Sequence, residues 1–205
     1  MIGELYAQAL AGQADPEVEY RDGRRVPLLA RRWLQLLPGD ESLLRRCSGA
    51  TLDVGSGPGR LTAALARRGL PALGIDINPY AVELTRDAGA SALLRDVFDH
   101  VPGAGRWSRV LLADGNIGIG GDPVALLRRV GELLAPDGLA LIELDRPGVP
   151  LRRERVRLRH GDELGAWFPW AHLGVDHIGR PARAGGLKVA ELWTEATRWF
   201  AALHR

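Results

Sequence analysis

A single cysteine, Cys47, is all the thiol chemistry in 205 residues, which excludes an internal disulfide and any cysteine-built zinc or iron–sulfur centre. No apolar run approaches the roughly 20 residues that a membrane-spanning helix needs. The first ten residues carry Glu4 and Gln8 and lack the basic stretch followed by a long apolar one that marks a signal peptide. A cytoplasmic protein without a membrane partner is therefore expected. Lysine is also nearly missing, since Lys188 stands alone among 27 basic residues; with abundant alanine, glycine and leucine, this fits a GC-rich coding bias and carries no functional reading. The net charge of +2 is too small to demand nucleic acid, although the isoelectric point is about 9.1. Internal repeats and low-complexity tracts are absent too.

What the chain does have is enough apolar sequence, 46% of residues, to bury one substantial core, so a single domain over 1–205 is expected. From residue 50, short apolar runs alternate with amphipathic stretches, the pattern of strand–helix–strand units in a parallel sheet. Strands are predicted at Ala50–Val54, Ala72–Ile77, Ser91–Leu94, Arg109–Ala113 and Leu139–Leu144. Pro58 to Gly69, Asn78-Pro79 to Gly89, and Asp122-Pro123 onward read as helices with their own start and stop signals, and Pro136-Asp137-Gly138 as a turn. Residues 1–49 read as a helical cap, with helices near Gly3–Leu10 and Pro27–Leu37 and a turn at Asp22-Gly23. Residues 50–145 form the core. Residues 146–205 read as an insertion with a strand pair turning near Gly161-Asp162, a helix near Val175–Ala184, and a closing antiparallel hairpin, Leu187–Trp193 with Arg198–Leu203.

The stretch Leu52-Asp53-Val54-Gly55-Ser56-Gly57-Pro58-Gly59-Arg60 runs an apolar strand into a glycine-rich turn that opens a helix. Glycine there lets a ligand approach the backbone. A dinucleotide fingerprint would place glycine where Arg60 stands, so a ligand without pyrophosphate is favoured. Asp53, at the strand end, suits the ammonium or sulfonium side of a cationic ligand.

These residues make the chain resemble the class I S-adenosylmethionine-dependent methyltransferases from about Thr51 to Leu144, in the branch acting on small molecules. The resemblance implies a doubly wound, Rossmann-like α/β sandwich with a mostly parallel seven-stranded sheet and an antiparallel C-terminal hairpin. It implies S-adenosyl-L-methionine as cofactor, held by Asp53, Gly55, Ser56, Gly57 and Gly59 around its amino-acid part. Asp76, with Ile77 beside it, would take the ribose hydroxyls, Asp96-Val97 the adenine, and Asp114 to Asn116 would line the methyl-transfer site. The segment from Asp114 lacks the Asn/Asp-Pro-Pro-aromatic signature of methyltransferases acting on exocyclic amines of nucleobases. A metal-dependent reading of Asp114 and Asp145 wants an asparagine where Arg146 stands, so no metal is expected.

The acceptor is less legible. His172 and His177 are candidate general bases, since a neutral imidazole takes a proton near pH 7; for each, a solvated or structural histidine is the simpler reading. Arg155, Arg157 and Arg159 share one face of a strand opposite Val156 and Leu158. Arg157 with Trp167 and Trp170 is the candidate acceptor-binding set, against solvated-face and core-packing alternatives. A small-molecule acceptor methylated at oxygen or nitrogen is expected, with nucleic acid disfavoured as a partner and a monomer or homodimer as the assembly. The alternatives are a nucleic-acid methyltransferase and a non-catalytic cofactor-binding regulator.

Overall fold

Local start and stop signals decide the centre of the chain. A computed structural model describes residues 3–205. Met1 and Ile2, with which the single-domain expectation and the reading against a signal peptide begin, lie outside the described residues. Helix α1 (Glu4–Ala11) precedes a hairpin of β1 (Glu17–Tyr20) and β2 (Arg25–Pro27), a 3-10 turn at Ala30–Leu34 and the short α2 (Asp40–Leu44). The core follows as β3 (Thr51–Val54), α3 (Arg60–Arg67), β4 (Ala72–Asp76), α4 (Pro79–Asp87), β5 (Ser91–Leu94), β6 (Trp107–Leu112), α5 (Pro123–Leu133) and β7 (Leu134–Leu144). Then come β8 (Arg152–His160), β9 (Glu163–Leu164), β10 (Phe168–His172), a 3-10 turn at Val175–His177, α6 (Gly179–Ala184), β11 (Lys188–Glu195) and β12 (Arg198–His204). Among the described residues, no helix is long and apolar enough to cross a membrane.

The caps behave as their chemistry dictates. Asn78 Oδ1 accepts from the Ala81 amide at 3.1 Å, and Asp122 Oδ1 from those of Val124 and Ala125 at 3.0 and 3.3 Å, each satisfying an otherwise orphaned donor of its helix. The predicted turn at Pro136–Gly138 is a correction. The chain passes from α5 straight into β7, because Leu134 is already extended. The extra residues are absorbed as a bulge against β6 between Trp107 and Arg109. Gly138 permits this, since a Cβ there would lie 2.7 Å from the Trp107 carbonyl oxygen.

Seven strands form the main sheet in the order β11-β12-β7-β6-β3-β4-β5. Strands β3 to β7 pair in parallel and the terminal hairpin adds antiparallel to β7, giving the doubly wound α/β sandwich expected. The hairpin closes at Ala196-Thr197, both with positive φ, as a two-residue connection demands. Alternation along the strands splits the core: Val110 and Leu112 pack with Leu126, Leu127 and Val130 of α5, while Leu111 and Ala113 pack with Leu61 and Leu65 of α3 and with Phe200. Each fully buried side chain of this kind contributes about 1.5–3 kcal/mol. Strand order reverses between β3 and β6, where open sheets leave a crevice at their carboxyl ends.

That crevice has a roof, built from the N-terminal segment and the residues after β7 that read as a lid, but the sheet that joins them is not foreseen. Strands β10-β8-β1-β2 form a second, antiparallel sheet, with β9 on β8. The N-terminal cap is thus helical only in part: residues 17–27 are a hairpin, and the helix predicted at Pro27–Leu37 is a single 3-10 turn. Glu17-Val18-Glu19-Tyr20 alternates with period two, and β1 finds its partner in β8, Val18 opposite Leu158 and Tyr20 opposite Val156.

Candidate active site

The turn after β3 is held from both sides. The amides of Gly55 and Ser56 both donate to the Ile75 carbonyl, at 2.8 and 3.1 Å, while Asn116 Nδ2 donates to the carbonyls of Val54 and Gly55, each at 2.9 Å. Asp76 completes the frame: its Oδ2 accepts from the Gly57 amide at 2.9 Å and its Oδ1 from that of Asn78 at 2.8 Å. Two glycines in this turn serve different ends. Gly55 (φ 66°) would drive a Cβ to 2.8 Å from Asn116 Nδ2, so its bareness keeps the turn clamped beside the cavity. Gly59 (φ 80°) would press a Cβ into the Thr85 side chain, so its bareness lets α3 pack on α4.

Between the turn and the roof lies a cavity of about 500 Å³. Of the predicted cofactor residues, Gly55, Ser56, Gly57, Asp76, Ile77, Asp96, Val97, Asp114 and Asn116 line it, and so does Trp170. Gly59 does not. Nor does Asp53, which the sequence reading aims at a cationic ligand; it is 2% exposed and its Oδ2 accepts from the Thr62 hydroxyl at 2.7 Å. Asp53 is the third of the four residues of β3, next to its end, and the pleat that turns Val54 one way turns it toward α3. Asp96 has a local partner as well, accepting from the Phe98 amide at 2.9 Å.

The acceptor candidates divide. Val156 and Leu158 line the cavity, so Arg157 points from the outer face, where its Nε donates to Glu19 Oε2 at 2.6 Å and its guanidinium lies 4.7 Å from the Trp167 ring centre. Arg157 and Trp167 are therefore outside the cavity. So is His177, half exposed, with Asp176 3.8 Å away. His172 lies behind Trp170 on a second, smaller cavity, and its Nε2 is 3.2 Å from the Tyr20 hydroxyl. Sequence reasoning misses Tyr6, Trp33 and Phe98 on the cavity wall, and the roof residues Val18 and Tyr20, while Ile119 and Phe168 line it from segments that the sequence does single out. Only the period-two alternation of β1 and β8 signals the roof.

The profile of a methyltransferase domain matches residues 23–181. The chain belongs to the methyltransferase-domain family. It is similar in fold to an S-adenosylmethionine-dependent methyltransferase of Bacteroides fragilis solved with S-adenosyl-L-homocysteine: 24% identity, TM-score 0.80, covering 97% of this chain and 92% of that one. A second structural neighbour is the 1,6-didemethyltoxoflavin-N1-methyltransferase of Burkholderia thailandensis, at 17% identity and TM-score 0.60, covering 81% of this chain and 76% of that one. Among curated sequences, an ATP synthase lysine N-methyltransferase of Mus musculus is 43% identical over 44 residues. That stretch is 22% of this chain and only 18% of the mouse protein.

In this methyltransferase Arg60 does more than displace a dinucleotide glycine. Its Nε donates to Asp40 Oδ2 at 2.8 Å and its Nη1 to Asp114 Oδ2 at 2.6 Å. Arg198, from the terminal hairpin, reaches Asp40 Oδ1 at 2.7 Å and Glu143 Oε2 at 2.7 Å, and Glu143 Oε2 accepts from the Asp114 amide at 2.7 Å. Charged side chains from α2, α3, β7 and β12 thus fix Asp114, which is held at φ 54° on the cavity wall. Burial raises the Asp114 and Asp76 carboxyls, and raises the Tyr6 phenol so that it remains a hydrogen-bond donor.

Burial also pushes the Asp53 carboxyl up to about 6, against the pull of Thr62 and Arg60. A carboxyl raised on folding binds its proton more tightly in the native chain than in the unfolded one. Its cost is full above about 6 and vanishes below the unfolded value near 4. Asp53→Asn should therefore raise stability at pH 8 by on the order of 2–3 kcal/mol, with the difference from wild type shrinking to nothing by pH 4. Urea unfolding of both proteins across that range measures it; a difference independent of pH would show that Asp53 is not the titrating group.

Proposed function

We propose that this methyltransferase takes its methyl group from S-adenosylmethionine and delivers it to a small-molecule acceptor at nitrogen or oxygen. The residues fit the cofactor. Asp76 carries the reading: its carboxylate lines the cavity beside the bare glycine turn, and each oxygen, after serving one backbone amide, keeps a lone pair for a ribose hydroxyl. Ile77, Val97, Phe98 and Ile119 offer an apolar slot for adenine, with Asp96 at its edge for the exocyclic amine. Bound there, the cofactor supplies an electrophilic methyl on a sulfonium, a chemistry that rewards alignment and exclusion of water above strong acid–base catalysis.

The roof supports a small acceptor. Val18, Val156, Leu158 and Phe168 turn hydrocarbon toward the cavity, and the outer-face arginines that would serve nucleic acid are engaged, with Arg25, Arg157 and Arg159 all converging on Glu19. The relative that acts on 1,6-didemethyltoxoflavin agrees with this reading. Calorimetric titration with S-adenosylhomocysteine, NAD⁺ and FAD tests the cofactor. The expected result is saturable binding of S-adenosylhomocysteine alone; binding of a dinucleotide without it would overturn the proposal.

A further inference from the structure

One polar port interrupts the apolar roof. Tyr20 lines the cavity, and its hydroxyl lies 3.2 Å from His172 Nε2. His172 in turn has its Nδ1 3.4 Å from Asp145 Oδ2 and its Nε2 3.6 Å from Glu154 Oε2, and that Glu154 oxygen is buried with no hydrogen-bond partner among the described residues. At this point a second cavity of about 290 Å³ adjoins the first, bordered by Asp114 and Trp170 from the shared wall and by Glu143, Asp145 and His172 beyond it.

The charges facing this junction do not cancel. Arg60 and Arg198 meet three carboxylates, those of Asp40, Asp114 and Glu143. Asp145 and Glu154 add two more. Arg24 is shared between Glu154 and Asp22, and Arg152 acts on Asp145 through space alone. An acceptor bringing its own positive charge is favoured here, and an anionic one is repelled.

We propose that the acceptor is an amine with an apolar body, seated under the roof with its nitrogen at the Tyr20 port, and that Tyr20, His172 and Asp145 carry its proton away. This rests on the cofactor reading above. An ammonium has no lone pair, so one proton leaves first: it passes to Tyr20 Oη as Tyr20 yields its own to His172 Nε2. Asp145 stabilises the resulting imidazolium through Nδ1. The freed lone pair forms the carbon–nitrogen bond while the pair of the broken carbon–sulfur bond stays on sulfur. The methylated ammonium departs, and His172 returns its proton to water through the second cavity. Burial raises the Tyr20 phenol, which suits a relay that passes a proton and does not stand as phenolate.

Matched probes test the assignment: phenethylamine against 2-phenylethanol and tryptamine against tryptophol, titrated by calorimetry into protein saturated with S-adenosylhomocysteine. At least one amine should bind about tenfold more tightly than its alcohol, and Asp145→Asn should remove most of that preference without changing affinity for S-adenosylhomocysteine. Tyr20→Phe, checked for an unchanged melting temperature, should still bind the amine. Its methyl-transfer rate should climb about tenfold per pH unit toward the pKa of the free amine, where the wild type, with its relay intact, depends on pH less steeply. Alcohols bound as tightly as amines, or no amine bound by the loaded protein, would overturn the amine assignment alone. Failure of the wild type to bind S-adenosylhomocysteine would instead bring down the cofactor reading beneath it.

Discussion

Arg60→Ala should cost about 3–5 kcal/mol of folding stability, the range seen when one member of a buried ion pair is removed and its partner is left uncompensated. Asp40 is the reason: it is 1% exposed, and Arg60 grips both of its oxygens, at 2.8 and 3.1 Å. Burial raises the Asp40 carboxyl, but Arg60, the Leu37 amide and Arg198 outweigh it and hold the carboxyl below its ordinary value. A lowered carboxyl contributes stability that is present above the unfolded pKa and lost as pH falls through the folded one. The mutant should therefore lose most at neutral pH and least in acid. Urea midpoints at pH 7 and pH 4 read both effects. A loss below about 1 kcal/mol at pH 7 would mean that Arg198 and the Leu37 amide suffice for Asp40.

Asp76→Ala should lower affinity for S-adenosylhomocysteine by about 3–6 kcal/mol, which is two charged hydrogen bonds at 1.5–3 kcal/mol each, or a hundredfold and beyond. Both oxygens of Asp76 already accept backbone amides, so the mutation also orphans the donors of Gly57 and Asn78 and should cost stability. Asp76→Asn separates the two effects. It keeps one acceptor oxygen for a backbone amide and should retain much of the stability while still losing affinity. Calorimetry beside thermal melts on both variants decides it; an Asn variant that binds as tightly as wild type would remove Asp76 from the ribose role.

The four roof residues that line the cavity from β1 and β8 illustrate what a sequence hides. Val18 and Tyr20 stand far from Val156 and Leu158 along the chain, yet they pair directly. Period-two alternation says that Arg157 and Leu158 face opposite ways; it does not say which way is inward, because that depends on which surface the sheet covers. That Arg157 lies on the outer side of the roof is therefore decided by the fold. Asp53 behaves likewise: its position near a strand end is legible, but the turn of its carboxylate toward Thr62 is not.

Features governed by neighbours a few residues apart can be read directly from the chain. Asn78, Asp122, Gly69 and Gly89 cap or close their helices through short-range hydrogen bonds and positive φ. The apolar runs between them read as strands of a parallel sheet, and the acids at or just after the ends of two of those strands, Asp76 and Asp96, fall on the cavity wall with the glycine turn. Folding in three dimensions settles the joining of β1 to β8, the inward face of the roof, the charge network from Asp40 to Arg198, and the Tyr20–His172 contact. Each depends on pairing between distant segments, whose register and facing are set by what the whole surface buries and leave only weak marks in any one stretch of chain.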